Sequence, residues 1–244
     1  LNQFDFPTAD WIDYSMIEVD CQQLDGYAIV TGTPGVLDFI NGISHSRGLE
    51  RVLMDIGTGD PVYLALLERK FEYHYMMTER TLQASGGLID IVQTGEDLGT
   101  QQGLLISPAK FGRLFAPKYR AFFDMVHSYS ARVMMHCCGS CRRLLPMLID
   151  LGLDILDVVQ VSAKDMDIQG LCAEFGRDLS FCGTMCVQTT LPESSAEEIA
   201  REVALRQKLF ADGGLILGPT HLIQPDTPLE NILAMYSAAG ALAG

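Results

Sequence analysis

The segment Met134-Met135-His136-Cys137-Cys138-Gly139-Ser140-Cys141 gathers the chain's densest set of metal-binding and nucleophilic side chains. Read as the end of a β-strand, it alternates, with Met134, His136 and Cys138 on one face and Met135 and Cys137 on the other. A neutral imidazole beside a thiolate suits Zn²⁺, which takes Cys at ~2.3 Å and His at ~2.0–2.1 Å and in catalytic centres keeps one position open. Two donors do not make a site, so a third has to come from another strand end. The candidates are His221, in GPTHLIQPDTP, and Cys186, in FCGTMCVQ, with Glu96 or Asp97 as oxygen donors. A plainer role fits the same residues: Cys137, Cys138, Cys172 and Cys182 as small buried apolar groups, and His136 as a hydrogen-bonded core histidine. Cys138-Gly139-Ser140-Cys141 also has C-x-x-C spacing, but Arg142 and Arg143 read as the first turn of a helix and no thioredoxin-like frame surrounds the motif.

A second constellation is Gln93-Thr94-Gly95-Glu96-Asp97-Leu98-Gly99-Thr100-Gln101, where a buried strand opens into two carboxylates. Such a pair can hold a metal, bind a cationic substrate or exchange a proton, and burial would spread its pKa values. An acidic loop capping the next helix is the simpler alternative. Arg142 and Arg143 could face an anionic substrate or solvent. Tyr73, His74 and Tyr75 read as packing and surface, while His45 and His127 join no constellation. Gly32-Thr33-Pro34-Gly35 is a weak phosphate-loop signal that a tight turn explains better.

These side chains need elements to hold them. Short β-type runs alternate with stretches of helical spacing, the pattern of βα units and a parallel sheet. Six strands are predicted: 26–31, 88–94, 132–138, 155–161, 179–185 and 214–220. Helices are predicted around 34–54, 59–85, 108–129, 140–151, 166–175, 195–211 and 228–243. Pro108 after Ser107 and Pro228 after Thr227 look like first-turn prolines behind N-caps. Asp97, His136, Cys138, Gln160, Cys186 and His221 all fall at or just past the carboxyl end of a strand, where parallel α/β folds assemble active sites.

The chain has 244 residues, 48% hydrophobic, and a net charge of −14, enough apolar sequence for one sizeable core in a single domain over 1–244. Mean hydropathy is +0.17 and the pI is near 4.6. That balance excludes disorder and membrane spans, and the missing basic stripe argues against nucleic acid and anionic membranes as partners. A small-molecule substrate or a protein partner is expected. Seven cysteines, an odd number with no signal peptide, point to a reducing, cytoplasmic setting instead of a disulfide framework. The start at Leu1 without a methionine suggests a segment of a longer polypeptide.

Four segments carry a resemblance to the uroporphyrinogen decarboxylase superfamily, which runs from about Trp11 to Ala239: GEDLGTQQGLLISPAKF (95–111), MMHCCGSCRRLLPMLIDLGLDILDVVQ (134–160), FGRDLSFCGTMCVQTTLP (175–192) and GGLILGPTHLIQPDTPLENILAM (213–235). The resemblance implies an α/β fold, a TIM-type (β/α)8 barrel, with the family's two amino-terminal strands lacking in this chain. It also implies one of two chemistries. Asp97 and His221 match the loop aspartate and late histidine of the cofactor-free porphyrinogen decarboxylases, although nothing matches their arginine-rich segment. His136 and Cys138 match the H-x-C of zinc- and cobalamin-dependent methyltransferases, whose third zinc ligand, a late-loop cysteine, is replaced here by His221. Cys186 stands where both branches often carry aspartate, and it is a fourth ligand, a nucleophile or a residue without a role.

The resemblance therefore favours zinc on His136, Cys138 and His221, with Cys186 as a possible addition. Glu96, Asp97 and His221 would be the catalytic groups, and the methyl group would move to or from a corrinoid carried by a partner protein. Decarboxylation of a porphyrinogen is the alternative, and a non-catalytic zinc-binding or interaction fragment is a third. Six strands leave apolar edges that must be covered. The expected cover is either the rest of a longer chain or a homodimer, with Phe4–Leu24 lying across the open side.

Overall fold

The computed structural model describes residues 4–241, so the last two positions of the helix expected over 228–243 lie outside the described residues. The chain divides into two compact units.

The first unit comprises residues up to Asp97, Ile106–His136 and Pro146–Leu153. A short 3₁₀ turn at Ala9–Trp11 and α1 (Ile17–Gln22) precede β1 (Val30–Leu37), followed by α2 (Asn41–Arg47), α3 (Leu49–Thr58) and α4 (Pro61–Ala84). Then come β2 (Ile91–Gly95), α5 (Pro108–Leu114), α6 (Ala116–Ser128), β3 (Arg132–His136) and α7 (Leu145–Leu151). The strands are parallel, with Val30 opposite Ile91 and Ile91 opposite Arg132. The helix starts follow from local chemistry. The Asp60 carboxylate accepts the amides of Val62 and Tyr63 ahead of α4, and the Ser107 hydroxyl accepts that of Lys110 ahead of α5, with Pro61 and Pro108 in the first turns. Phe39, Phe111, Phe115, Tyr119 and Phe123 form the aromatic centre, with Phe39 stacked on Phe115 at 5.8 Å.

The second unit comprises Leu98–Leu105, Cys137–Leu145 and the chain from Asp154 onward. It holds β4 (Ile155–Asp157), α8 (Ile168–Phe175), β5 (Ser180–Met185), α9 (Thr190–Glu193), α10 (Ala196–Leu209), β6 (Leu215–Pro219) and α11 (Leu229–Ala238). Its strands are also parallel, Ile155 facing Ser180 and Phe181 facing Leu215. A capping box between Ser195 and Glu198 starts α10. Met185, Val187, Leu191, Ile199, Val203 and Met235 pack its core.

Six parallel strands alternating with helices make this an α/β fold, six of the eight strands of a TIM-type barrel. Among the described residues no helix is long and apolar enough to cross a membrane.

Several sequence expectations are corrected. The first strand runs over Val30–Leu37, later than 26–31, so Gly32-Thr33-Pro34-Gly35 is strand and not a turn. Glycine at 32 lets β1 approach β2: at φ +87°, a Cβ there would sit 2.1 Å from the Gln93 carbonyl oxygen. The region 34–54 yields β1's end and two helices broken at Gly48. Thr227 caps nothing; Pro228 itself occupies the N-cap of α11, and the Thr227 hydroxyl is buried without a hydrogen-bond partner. The 3₁₀ turn and α1 pack against α4, with an ion pair between Arg80 and Asp10, and Phe4 and Trp11 stay about two-thirds exposed.

Candidate metal centre and its surroundings

Within the second unit, β3's continuation and the loop after β6 converge. Cys138, two residues past His136, and His221, two past Pro219, present ligand atoms within 4.8 Å of each other. Two donors on one tetrahedral zinc lie ~3.6 Å apart, a spacing these side chains reach by small rotations. A pocket of about 210 Å³ lies over them, lined by Cys138, Gln160, Val187, Gln188, Thr220, His221 and Gln224. The loop carrying Cys138 is pinned by backbone contacts. Cys137 N–H donates to the Asp157 carbonyl at 2.5 Å, Gly139 N–H to Gln160 Oε1 at 2.7 Å and Ser140 N–H to the Thr100 carbonyl at 2.8 Å. Gly139 has φ +81°, and a Cβ there would lie 2.5 Å from the carbonyl carbon of Gly99, so the turn that presents Cys138 requires glycine.

Cys186 does not join Cys138 and His221. It is 1% exposed, and the Thr189 hydroxyl donates to its Sγ at 3.3 Å. Burial pushes this thiol up, but hydrogen bonds led by those from the Thr189 hydroxyl and the Gln188 amide outweigh it and leave its pKa below the ordinary value. All seven cysteines are free thiols. Cys182, by contrast, is pushed up to about 12 by burial and the neighbouring Asp157. Arg142 does not face a substrate; it pairs with Glu174 at 2.6 Å and donates to the Asp165 carbonyl.

The carboxyl ends of β1, β2 and β3 build a different pocket in the first unit, about 250 Å³, lined by Pro34, Gly35, Asp38, Asn41, His45, Glu96, Asp97 and His136. Asp97 accepts from Asn41 Nδ2 at 2.9 Å, and its other oxygen stands 4.0 Å from His136 Nε2. Glu96, 1% exposed, accepts from the amides of Phe39 at 2.6 Å and Ile40 at 2.9 Å and from the Tyr119 hydroxyl at 3.3 Å. Its carboxylate thus ties β2 to the start of α2, an anchoring role that sequence reasoning did not foresee. Burial, reinforced by the charge of Asp38, raises the Glu96 pKa, and burial likewise raises Asp38 to about 6. Lys70 supplies the nearby positive charge and donates to the Gly35 carbonyl at 3.2 Å.

Asp38, Asn41 and His45 were missed because the sequence places them inside a predicted helix. The available signal was a lone aspartate in the apolar run Val36-Leu37-Asp38-Phe39-Ile40. Tyr73 and His74 border a larger, mostly apolar pocket of about 360 Å³ against α2 and α4; burial lowers His74 to about 3, so its ring is neutral.

A search of curated proteins returns no match. Among solved structures, a methyltransferase from Methanosarcina mazei superposes with a TM-score of 0.68 at 19% identity, over 92% of this chain and 62% of that one. This chain therefore shares its fold and spans less than two thirds of its length. The family model for uroporphyrinogen decarboxylase (URO-D) matches residues 40–242, the span that contains every element from α2 through α11. That match covers well over half of the chain, and the chain belongs to the uroporphyrinogen decarboxylase family.

Proposed function

We propose that this chain is a zinc-dependent methyltransferase of the family, moving a methyl group to or from a corrinoid on a partner protein. The observation that carries the reading is the approach of Cys138 and His221 to within 4.8 Å at a pocket mouth. A thiolate and an imidazole form a zinc donor set, and the sequence nominates His136, two residues before Cys138, as the third donor. Zinc bound there supplies Lewis acidity, lowering the pKa of a bound thiol. The chain's own residues do the rest. Asp97, one of whose oxygens stands 4.0 Å from His136 Nε2, would help to orient the His136 ring. Asn41 holds Asp97 in turn. Glu96, committed to backbone amides, sets the position of the Asp97 loop.

Porphyrinogen decarboxylation is the weaker reading. Its substrate is rich in carboxylates, whereas the pocket containing Asp97 also holds Asp38 and Glu96 and has no lysine or arginine in its lining. Acidic walls repel an acidic ligand.

The test is metal content by mass spectrometry on wild type and Cys138→Ser, followed by the corrinoid spectrum with methylcobalamin and a thiol. About one zinc per chain, lost in the variant, with thiol-dependent demethylation of cobalt, is expected. Zinc-free protein after zinc-replete growth, or consumption of uroporphyrinogen dependent on Asp97, would overturn it.

A further inference from the structure

The pocket over Cys138 contains a carboxamide whose orientation is forced by its neighbours. A backbone amide can only donate, so the atom of Gln160 that meets Gly139 N–H at 2.7 Å must be oxygen. The nitrogen of Gln160 then points the other way, 3.4 Å from Gln188. A carboxamide nitrogen also only donates, so the Gln188 atom facing it must be oxygen. The Ser162 hydroxyl, at 2.8 Å, and Gln101 Nε2, at 3.3 Å, converge on that same oxygen. Three donors hold Gln188 Oε1, and both N–H groups of Gln188 Nε2 have no hydrogen-bond partner among the described residues.

Gln188 lines the pocket with Cys138 and His221. Beside it, the Thr220 oxygen accepts Val187 N–H at 3.2 Å, leaving its hydroxyl proton to donate. No lysine, arginine, aspartate or glutamate lines this pocket. Its fixed feature is therefore a pair of neutral donors. A carboxylate beside Gln188 would find no charged side chain to pair with, whereas a carbonyl oxygen would find two neutral donors already oriented.

We propose that Gln188 is a specificity-determining residue that selects a substrate thiol bearing an uncharged carbonyl oxygen, such as an amide. The proposal rests on the zinc reading above. Gln160 and Ser162 act through Gln188 as positioning residues.

The test uses calorimetric titration of the zinc-loaded protein with three thiols. N-acetylcysteamine carries the amide carbonyl, 1-pentanethiol matches its chain length without the carbonyl, and 3-mercaptopropionate ends in a carboxylate. N-acetylcysteamine should bind about tenfold more tightly than either, the worth of one well-placed hydrogen bond. Gln188→Leu should erase the preference over 1-pentanethiol while zinc content and melting temperature stay at wild-type values. Equal affinities in wild type, or a preference that survives Gln188→Leu, would overturn the proposal while leaving the zinc reading intact. Zinc content is read on the same samples: if wild type holds no zinc, the zinc reading fails, and this inference with it.

Discussion

Asp38 offers a test of the buried acidic cluster that does not depend on knowing the substrate. It is 8% exposed, its Oδ1 has no hydrogen-bond partner, and burial raises its pKa from 3.8 to about 6. Between those two values the native state keeps a proton that the unfolded chain has released, so stability falls as pH climbs through that window. The rise, at ~1.36 kcal/mol per pH unit, amounts to about 3 kcal/mol by pH 7. Asp38→Asn removes the ionisation and keeps the shape. Urea denaturation followed by circular dichroism from pH 4 to pH 7.5 should give a wild-type stability that declines relative to the variant by about 2–3 kcal/mol across the range. The reasoning is refuted if the two pH profiles run parallel, because Asp38 would then ionise alike in the folded and unfolded chains.

Two further perturbations probe the supports of the second unit's pocket. Gly139→Ala forces a Cβ to within 2.5 Å of Gly99 and 2.9 Å of the Thr100 carbonyl, so it should cost about 2–4 kcal/mol and lower zinc retention, read by thermal melts and metal analysis; a wild-type melting temperature would contradict it. Arg206, 2% exposed, donates to the Thr184 carbonyl at 2.9 Å and to the Thr184 hydroxyl at 3.0 Å, holding a non-glycine residue at φ +83°. Arg206→Met should destabilise by about 2–4 kcal/mol in urea titrations, and a change below about 0.5 kcal/mol would show that Thr184 needs no such brace.

The strand–helix alternation was legible because buried parallel strands read as apolar runs, as in Arg132–His136 and Ser180–Met185. The errors have physical causes. β1 contains two glycines and a proline, which local propensity assigns to a turn; in the first unit it pairs only with β2, and its one proline costs little there. β4 stops at Asp157, short of the predicted Val161, because the chain leaves the ladder to bring Gln160 to the Gly139 amide. Residue type nominated His136 and Cys138 and left the third donor open between His221 and Cys186, and the family resemblance narrowed it to His221. Gln188 was not, since an exposed glutamine carries no signal until its hydrogen bonds are seen. Glu96 was nominated for its charge, yet adjacency to Asp97 in sequence says nothing about direction: one carboxylate turns to the amides of α2's start and the other toward His136.

The two pockets differ in a way that bears on the chemistry each can accept. In the first unit, three carboxylates share one nearby lysine, so the pocket favours hydrogen-bond donors and positive charge and resists anions. In the second, the lining is uncharged apart from the thiol and the imidazole, and its oriented groups are neutral donors. Under the proposed zinc reading, a substrate thiol bound at Cys138 and His221 would lose its proton to the metal's Lewis acidity, and a pocket without carboxylates would not oppose the resulting negative charge as the acidic one would. On the proposed reading, thiol activation belongs to the second unit's pocket and not to the acidic one, so substitutions around Asp38 should alter stability and pH response more than thiol selection.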